Sequence, residues 1–453
     1  MGKITLQQAA QWCGGRIDPK YKDVVFDGAN NDTRKLEPGQ LFIALKGERD
    51  GHDFIDMAVE KGAGAVLCEH CEKDIPAIIV EDVRIALGNI ARGHRERIGM
   101  QVVGVTGSVG KSTTKEMIAA VLQSHYKVGK TPVNHNNDIG MPMAVLGLED
   151  DIQVAVLEMG MNHFGEISYL SNIAKPDVAV IINIGTMHIE HLGSKEGILQ
   201  AKLEILDGMQ KTGSVVLNGD DDLLWNQKKT GDMRTVYFGA NNPRCDVLAN
   251  DAEQTEDGLH FMAKWPAGTV RIEMALEGEH YVSDAMAAIA VGVELNVPAQ
   301  KIQEALAQFQ NMEGRQEIFE ANGFRIIKDC YNAGPESMAA ALKVLGKKPG
   351  RRIAVLGDML ELGVCSQAEH YKVGRLAAEV ADYVLAFGPN SIGVLNGAMT
   401  GGMSRTYARA FTDRNRLAMV LRQIAKPGDV ILFKGSRGMR MELVLEQFLG
   451  EEK

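Results

Sequence analysis

Apolar runs alternate with segments of helical character from about residue 99 onward. This alternation predicts a parallel sheet whose strands are connected by crossover helices. Strands are predicted at 101–105, 153–158, 178–183 and 214–217, and helices at 111–124, 163–174 and 195–210.

The pattern changes on either side of this central block. The preceding stretch holds short strands and turns, whereas the final stretch repeats the strand–helix rhythm through RIIKD, RIAVLG, YVLAFG and DVILFKG. A chain of 453 residues suggests about three domains of roughly 150 residues each. We therefore predict an α/β fold with three domains, at 1–98, 99–312 and 313–453.

Composition narrows the class of protein. The formal net charge of −10 argues against a nucleic-acid surface. No apolar stretch approaches about 18 residues, so no membrane insertion is expected, and the N-terminus lacks the apolar core of a secretory signal. The six cysteines are scattered, apart from a C-x-x-C at Cys68 and Cys71. Zinc or redox chemistry could explain that pair, but incidental thiols in a reduced cytoplasmic chain are the preferred interpretation.

The clearest candidate for chemistry is GVTGSVGKSTTKE, at 104–116. A loop between a strand and a helix points backbone N–H groups at a bound phosphate, and the helix dipole favours the negative charge. Lys111 can reach the β- and γ-phosphates of a nucleotide, and the Ser112 hydroxyl can bind Mg²⁺. The usual loop has a glycine five residues before Gly110, but Val105 stands there. We predict phosphate binding by a shortened P-loop.

Two further polar residues lie where predicted strands end. Glu158 closes VAVLE, and His188 follows VAVIINIGTM. Ligands of open α/β sheets collect at the carboxyl ends of the strands, so these side chains could complete a Mg²⁺ site with Ser112. Each could also be an ordinary solvated or loop residue. Mg²⁺ prefers oxygen ligands, which makes His188 the weaker candidate and allows it to act through water.

The third block offers an aspartate and an arginine. Asp329 ends a strand in IIKDCYNAGPESM, where a carboxylate can bond a ribose hydroxyl. Arg315 lies in EGRQEIF, at the junction of the second and third blocks. A guanidinium there could bind a nucleotide phosphate once the domains close, although a surface ion pair explains it equally well from the pattern alone.

Several motifs together resemble the Mur ligase family of peptidoglycan synthesis. They are TGSVGKST, TPVNHNNDIGMP, VLEMGMNHFGEI, NIGTMHIEHLGS, QAKLEIL, GRQEIF, KDCYNAGPESM, GDMLELG and FKGSRGMRME, together with NDTRKLEPGQLFIALKGERDGHDF near the N-terminus. The resemblance covers nearly the whole chain. In this family the loop takes a short form, in which Gly107 stands in for the missing glycine. The resemblance implies a small α/β UDP-binding domain, a central P-loop ATPase-like domain with a parallel sheet, and a C-terminal Rossmann-like α/β domain.

The resemblance also implies an activity. Within the family, the N-N-D-I-G-x-P and Y-N-A tracts indicate the member that joins D-alanyl-D-alanine to UDP-N-acetylmuramoyl-tripeptide in the cytoplasm. ATP would phosphorylate the terminal carboxylate, and the amine of the dipeptide would attack the acyl phosphate, giving an amide, ADP and phosphate. Two Mg²⁺ ions and a carbamylated lysine, at Lys202 in QAKLEIL, are implied as well. Helical periodicity alone predicts instead that the Lys202 side chain is solvated. A monomer is expected.

The family's functional residues carry over onto matching positions of this chain. Lys111, Lys202 and His188 are the implied catalytic residues, and Ser112, Glu158, His188 and Lys202 the implied Mg²⁺ ligands, with Lys202 as its carbamate. ATP would contact Gly107, Ser108, Val109, Gly110, Lys111, Ser112, Thr113, Asp284, Arg315, Asp329, Tyr331 and Asn332. The muramyl substrate would contact Thr33, Arg34, Lys46, Asn134, Asn136 and Asn137.

The chain departs from the family's pattern at GEHYVSDAMAA. Tyr281 and Asp284 stand where asparagines are usual, and an ionised aspartate can only accept hydrogen bonds. Contact with adenine at this point is therefore in doubt. Three alternative functions remain: a sister ligase that adds one amino acid, a P-loop kinase or nucleotide-gated regulator, and a UDP-sugar-binding module without ATPase activity. The UDP-sugar-binding module is disfavoured, because the chain keeps Lys111, Ser112 and Lys202.

Overall fold

The computed structural model describes residues 3–227 and 230–450. The outermost limits of the first and third predicted domains, residues 1 and 453, fall outside this range. Within it, the chain forms three larger sheets that follow one another along the sequence, plus one two-stranded ribbon. The three-domain α/β architecture expected from the sequence is confirmed. No helix in the described range is both long and apolar enough to cross a bilayer.

The N-terminal region is built on a four-stranded parallel sheet of order β3-β4-β5-β6, beside an antiparallel β1–β2 ribbon. Its long helix α3 begins where Asp82 caps the backbone N–H of Ile85 and ends at Gly99, whose φ of 71° closes the helix. The elements are β1 Ile4–Thr5, α1 Leu6–Cys13, β2 Val25–Phe26, β3 Ala29–Asn30, β4 Leu41–Ile43, α2 Ile55–Glu60, β5 Ala65–Cys68, β6 Ala77–Ile79 and α3 Val83–Ile98.

The central region holds a nine-stranded sheet of order β15-β14-β13-β12-β11-β10-β7-β9-β8. Its strands are parallel from β8 to β13, and β13, β14 and β15 pair antiparallel at the other edge. The strands are β7 Gln101–Thr106, β8 Val128–Lys130, β9 Val154–Glu158, β10 Val178–Ile181, β11 Ser214–Asn218, β12 Arg234–Gly239, β13 Val247–Gln254, β14 Leu259–Trp265 and β15 Gly268–Met274. The helices are α4 Lys111–Gln123, α5 Gly140–Leu146, α6 Glu166–Ala174, α7 Ile189–Leu192, α8 Lys195–Leu203, α9 Asp222–Trp225, α10 His280–Glu294 and α11 Ala299–Ala307.

The C-terminal region is a six-stranded sheet of order β16-β17-β21-β18-β19-β20, parallel except for the β16–β17 hairpin. Helices cover both faces, as expected for a Rossmann-like domain. The elements are β16 Glu317–Ala321, β17 Phe324–Asp329, α12 Pro335–Gly346, β18 Arg352–Gly357, α13 Ser366–Val380, β19 Tyr383–Phe387, α14 Ser391–Thr400, β20 Ala408–Phe411, α15 Arg414–Ile424, β21 Val430–Lys434 and α16 Met441–Leu449.

The predicted strands of the central sheet agree with the structure to within two residues, because each is an apolar run that lies buried between helices. Two predicted helices are shorter than expected. The helix predicted at 163–174 begins only at Glu166, since Gly165 adopts a φ of 87°. The helix predicted at 195–210 ends at Leu203 and is followed by a single 3₁₀ turn. Beyond that turn, the Gly208 N–H donates to Ser171 Oγ at 3.1 Å. A Cβ on Gly208 would collide with the Ser171 backbone.

The first two regions share one core. Apolar side chains of the N-terminal sheet and of α3 pack in the same cluster as one face of the central sheet. The opposite face of the central sheet packs against α4 and α10. The C-terminal sheet has separate clusters on its two faces. The C-terminal region has its own core, and its polar contacts with the rest of the chain include the ion pairs Lys347–Glu279 and Lys348–Glu277 as well as those at the cleft described below.

Candidate active site

A cleft of about 850 Å³ lies where the carboxyl ends of the central strands meet the C-terminal region. Most residues predicted for ATP, Mg²⁺ or substrate line this cleft together. They are Ser108, Val109, Gly110, Lys111, Ser112, Thr113, Asn134, Asn136, Asn137, Glu158, His188, Asp284, Arg315, Asp329, Tyr331 and Asn332. Gly107 lies in the same loop, where a Cβ would approach Ile182 to 3.1 Å. The predicted residues that do not line the cleft are Thr33, Arg34, Lys46 and Lys202.

The loop from β7 to α4 has the form of a phosphate cradle. Gly110 adopts a φ of 88° and directly precedes the first residue of α4, Lys111. The Lys111 ammonium donates to the carbonyls of Gly107 at 2.8 Å and Ser108 at 3.2 Å. Burial lowers the pKa of Lys111; Arg315 lowers it further, whereas the Glu158 carboxylate opposes the shift. The ammonium is therefore held over the loop, at the N-terminus of a helix, where an anion is stabilised.

Asn183 fixes the conformation of this loop from the neighbouring strand. Its Oδ1 accepts from the backbone N–H groups of Ser108 at 3.0 Å and Val109 at 2.9 Å, and its Nδ2 donates to the Val109 carbonyl at 2.8 Å. Ser108 Oγ in turn accepts from the N–H of Gly185 at 2.8 Å. The loop is thus tied to the end of β10 before any nucleotide binds, which lowers the entropic cost of ordering it.

We expect Asn183→Ala to weaken ATP binding by about tenfold, since the loop loses three hydrogen bonds that hold it in its binding conformation. The measurement is the Kd for ATP by calorimetry, with the kcat for ADP release alongside. Asn172→Ala serves as control, because Asn172 is exposed on α6 and bonds only within its own helix. Wild-type ATP affinity in Asn183→Ala would show that the loop keeps its shape without the side chain.

Glu158 is held by a buried network. Its Oε1 accepts from Asn136 Nδ2 at 2.8 Å, and its backbone N–H donates to Thr131 Oγ1 at 3.0 Å. Lys115, fully buried on α4, donates from Nζ to the Thr131 carbonyl at 2.7 Å. Glu158 Oε2 is buried and has no hydrogen-bond partner in the described part of the chain. A buried carboxylate oxygen without a partner fits a bound cation, because its burial is otherwise costly.

Polar contacts join the central and C-terminal regions beside this network. His188, with a φ of 63°, places Nδ1 at 2.7 Å from Glu361 Oε2, and the contact lowers the pKa of Glu361. Thr186 donates from both its N–H and its hydroxyl to Glu336, at 3.0 and 3.1 Å. His188 Nδ1 therefore lies against a carboxylate of the C-terminal region.

Arg315 reaches the phosphate loop from the domain junction. Its Nη2 donates to Ser112 Oγ at 2.8 Å, and its guanidinium lies 3.8 Å from the centre of the Tyr331 ring. The Tyr331 hydroxyl donates to Asn134 Oδ1. Arg315 therefore contacts a hydroxyl of the phosphate loop and not a carboxylate, and its role as a phosphate clamp stays a prediction.

Two other predicted residues have local partners. Asn137 Oδ1 accepts from the N–H of Gly140 at 2.8 Å, at the start of α5. Asp329 Oδ2 accepts from Lys434 Nζ at 2.7 Å, and the same ammonium donates to the Asn332 carbonyl at 3.1 Å. Lys434 therefore orders the end of β17 and the tract that follows it. Cys330 is buried in the C-terminal core, as a small packing residue would be.

Asp284 sits under the phosphate loop, inside the cleft. Its Oδ1 accepts from Thr114 Oγ1 at 2.7 Å and lies 2.9 Å from where a Cβ on Gly110 would stand. Burial raises the pKa of Asp284 to about 7, although the Thr114 hydrogen bond and Arg315 both oppose the shift. Tyr281, the other unusual residue of this motif, accepts a hydrogen bond from Asn311 Nδ2 at 2.9 Å.

We expect Asp284→Asn to raise the free energy of unfolding by about 2 kcal/mol at pH 8 and by less at pH 5. The folded pKa lies above the unfolded value, so the native state binds more protons between about pH 4 and pH 7. The native state therefore loses stability as the pH rises through 7 and Asp284 ionises. Asparagine cannot ionise, so the variant keeps this stability at high pH. Urea unfolding at the two pH values measures it, with Asp257→Asn in an exposed turn as control. Equal stabilisation by Asp284→Asn at pH 5 and pH 8 would contradict a raised pKa for Asp284.

Lys202 lies on α8 beneath the cleft and is only 2% exposed. Burial lowers the pKa of Lys202 far below its ordinary value, and the nearby charge of Lys111 lowers it further. An ordinary helical lysine would be solvated, so the expectation from periodicity alone is wrong for this residue. No trio of His, Cys, Asp or Glu side chains in the described residues could by itself hold a metal ion.

The N-terminal residues predicted to contact substrate are separate from this cleft. Thr33 is buried beside Met57, and Arg34 is exposed and paired with Asp32 through Nε and Nη2 at 2.9 and 2.8 Å. Lys46 forms an ion pair with Glu69. All three residues follow the carboxyl ends of the neighbouring parallel strands β3 and β4, at one edge of the N-terminal sheet.

Four functional neighbours of the site did not emerge from the sequence. They are Asn183, Lys115, Thr131 and Lys434. A signal existed for Asn183, since it is the first polar residue after the apolar run of β10. The others make their contacts through residues distant in sequence, which periodicity and motif spacing do not report.

Sequence models of three domains match the chain in order. The Mur ligase family, catalytic domain model matches residues 26–108, the Mur ligase middle domain model matches residues 105–292, and the Mur ligase, glutamate ligase domain model matches residues 314–437. Together they cover most of the chain.

Curated relatives match over nearly their whole length. The chain is 39% identical to UDP-N-acetylmuramoyl-tripeptide–D-alanyl-D-alanine ligase of Bacillus subtilis, with 99% of both chains covered. It is 37% identical to the Escherichia coli protein of the same name, with 98% of both covered.

Solved structures give the same result. A crystal structure of MurF from Acinetobacter baumannii superposes with a TM-score of 0.91 at 33% identity, covering 99% of each chain. A MurF ligase structure from Thermotoga maritima in complex with ADP superposes with a TM-score of 0.83 at 31% identity, covering 94% of this chain and 97% of that one.

Proposed function

The chain belongs to the Mur ligase family, and from this premise we propose that it joins D-alanyl-D-alanine to UDP-N-acetylmuramoyl-tripeptide, with ATP converted to ADP and phosphate. The main support is whole-length similarity to ligases of that name. The cleft supports it independently, because a phosphate loop, a buried carboxylate and the junction between the central and C-terminal regions meet there. The product would be a precursor of peptidoglycan.

In the first step, the terminal carboxylate of the tripeptide attacks the γ-phosphorus of ATP, giving an acyl phosphate and ADP. Phosphoryl transfer depends mainly on positioning and on neutralising charge at the phosphoryl oxygens. The loop amides and the Lys111 ammonium position the phosphate and neutralise its charge. Asn183 keeps the loop in the required shape. Arg315, already in contact with Ser112, is placed to bind the same phosphates.

In the second step, the amine of D-alanyl-D-alanine attacks the carbonyl carbon of the acyl phosphate. The tetrahedral intermediate collapses as its bond to the phosphate oxygen breaks, and the amine loses its proton, leaving an amide and inorganic phosphate. The acyl phosphate must be shielded from water, which closure of the C-terminal region over the cleft would achieve. The contacts of Thr186 with Glu336 and of His188 with Glu361 lie at that junction.

The residues at the cleft fit a divalent cation. Ser112 Oγ and the unpartnered Glu158 Oε2 are the oxygen donors expected for Mg²⁺, and His188 lies beside them as a weaker ligand. The chemistry that Mg²⁺ supplies when bound is neutralisation of the phosphate charge that develops during transfer. Two ions are proposed, the first with Ser112 and Glu158, the second with His188 and Lys202.

Lys202 is proposed to bind the second ion as a carbamate. An ammonium next to Mg²⁺ would repel it, whereas a carbamate offers two anionic oxygens, the hard ligands that Mg²⁺ prefers. The lysine must be neutral to react with CO₂, and both its burial and its proximity to Lys111 favour the neutral amine.

The uridine nucleotide is proposed to bind on the N-terminal region, outside the cleft, and ATP to bind in the cleft. Thr33, Arg34 and Lys46 of the N-terminal region bind the uridine nucleotide, and Asn134, Asn136 and Asn137 lie between ATP and the muramyl group. Asp284, Asp329, Tyr331 and Asn332 approach the adenosine. Replacing Asp284 by asparagine would then tighten ATP binding or sharpen selection against GTP by about 0.5–1.5 kcal/mol. Unchanged nucleotide affinities by calorimetry would show that Asp284 does not face the base.

The expected setting follows from these substrates. UDP-linked precursors and ATP are cytoplasmic metabolites, so the reaction is proposed to occur in the cytoplasm, by a monomer. The three domains are proposed to span 1–98, 99–312 and 313–453. The first is proposed to bind UDP, the second to bind ATP, and the third to close over the cleft.

ADP release under defined substrate combinations tests the proposal. Continued ADP release should require ATP, UDP-N-acetylmuramoyl-tripeptide and D-alanyl-D-alanine together, because without the dipeptide the reaction stops at the acyl phosphate after a single turnover. Lysine and diaminopimelate forms of the tripeptide should be compared. Turnover with single amino acids but not with the dipeptide would identify a sister ligase instead. ADP release that ignores both the UDP-linked peptide and the amine would identify a kinase or regulator.

A further inference from the structure

Two cysteines of the N-terminal region lie next to each other and outside the active-site cleft. Cys68 is the last residue of β5, and Cys71 follows three residues later, after the chain bends at Glu69. The Cys68 carbonyl is anchored to the next strand, because it accepts from the N–H of Val80 at 3.0 Å. Cys71 Sγ makes a long contact to the Lys73 carbonyl, at 3.9 Å. One thiol is therefore fixed and the other is loosely held.

The two thiols interact and differ in exposure. Cys68 is buried, and this burial, together with the neighbouring Cys71 thiol, raises the pKa of Cys68 to about 12. Cys71 is half-buried and lines a surface cavity of about 430 Å³ together with Arg16, Asp18 and His70. A small solute can reach Cys71 through this cavity, whereas Cys68 is fully buried and does not line it.

Glu69, one of the two residues between the cysteines, connects them to the surface that carries Lys46. The Glu69 N–H donates to His52 Nε2 at 3.0 Å, and the Glu69 carboxylate pairs with Lys46. His52 also stacks on the His70 ring, with centroids 4.4 Å apart, and its Nδ1 lies 2.6 Å from Asp50. Any rotation of the 68–71 backbone would therefore disturb both the position of Lys46 and the loop that ends at His52.

We propose that Cys68 and Cys71 form a reversible disulfide, and that this disulfide weakens binding of the UDP-linked substrate. The second part rests on the proposed function, in which Lys46 contacts the uridine nucleotide; the first part does not.

The oxidant required is a low-molecular-weight disulfide of the glutathione class. The Cys71 thiolate attacks one of its sulfurs, so a bond forms to Cys71, the S–S bond of the oxidant breaks, and one thiol leaves. Cys68 then loses its proton and attacks the Cys71 sulfur, releasing the second thiol. Overall the two protein thiols lose two electrons and two protons, and the small disulfide is reduced to two thiols.

The bond would change the local backbone. A disulfide requires the two Cα atoms to lie about 4.4–6.8 Å apart with a fixed dihedral angle. Because Cys68 is held by Val80, the adjustment falls on Glu69, His70 and Cys71. The Glu69 N–H then turns away from His52 and the Lys46 ion pair is released, while the active-site cleft between the other two domains is unaffected.

The test uses the full-length enzyme incubated with oxidised glutathione and then separated from it. Peptide mass spectrometry should find residues 68 and 71 joined, with the mass of two hydrogen atoms lost and no glutathione attached. The KM for UDP-N-acetylmuramoyl-tripeptide should rise about fivefold, as for the loss of one hydrogen bond, with kcat and the KM for ATP unchanged. Dithiothreitol should restore both the thiols and the KM.

Two variants complete the design. Cys71→Ser should keep the basal activity and lose all response to oxidised glutathione, whereas Cys365→Ser, a change in the C-terminal region, should respond as the parent does. A stable mixed disulfide at Cys71, or no oxidation of Cys68, would overturn the proposal. So would a 68–71 disulfide that leaves the KM of the UDP-linked substrate unchanged. If the reduced enzyme shows no turnover at all, the proposed function fails, but peptide mapping still decides whether the disulfide forms.

Discussion

Replacing Lys111 by alanine is expected to lower the rate of ADP formation by about 1,000-fold, because the transferring phosphoryl group loses its main fixed positive charge. The Lys111 ammonium sits at the N-terminus of α4 and is held by two loop carbonyls, so it is already positioned before ATP binds. The loop itself should persist in the variant, since Asn183 and not Lys111 holds its amides.

A coupled ADP assay with all three substrates measures this effect, and circular dichroism during thermal unfolding checks the fold. Lys127→Ala is the matched control, because Lys127 is an exposed lysine of the same region that pairs with Glu149 and Asp151. Near-normal turnover in Lys111→Ala, with the control also unaffected, would remove the loop from the phosphoryl-transfer step.

Replacing Lys202 is expected to lower the activity by about 100-fold, the order of loss seen when a group that supports a metal site is removed. Lys202 is buried and close enough to Lys111 for its pKa to be affected, so a permanent ammonium there would be unfavourable. As a carbamate it would instead be an anion beside the proposed Mg²⁺ ligands. Lys202→Ala leaves space at this point, whereas Lys202→Met fills it without an amine.

The two Lys202 variants separate the chemistry from the packing. Both should be inactive, but added formate or acetate should partly restore Lys202→Ala only, by occupying the space that methionine fills. Lys195→Ala, an exposed lysine of the same helix, should behave as the parent. ¹³C NMR of the parent in ¹³C-bicarbonate should show a protein-bound carbamate. No such signal, together with near-normal activity of Lys202→Ala, would refute the carbamate.

Where local physics decides structure, the sequence was sufficient. The apolar runs of the central sheet are buried strands because no other arrangement hides them, and GKST after such a run is a phosphate loop because the strand, turn and helix are consecutive in the chain. The whole-chain motif order then identified the family, which the comparisons confirm. Helix ends were less well predicted, because Gly165 and Gly208 interrupt helices through backbone conformation and close approach.

The partners of the site residues were decided only by the tertiary structure. Periodicity predicted a solvated side chain for Lys202, yet the fold buries Lys202 near Lys111. For Arg315 the pattern allowed either a surface ion pair or a phosphate clamp, and the domain junction brings Arg315 to Ser112. Likewise Asn183 bonds a loop about 75 residues earlier, and Lys434 bonds Asp329 across two parallel strands. Such contacts depend on which strands become neighbours. Strand order is set by the packing of the whole domain, and local sequence does not encode it.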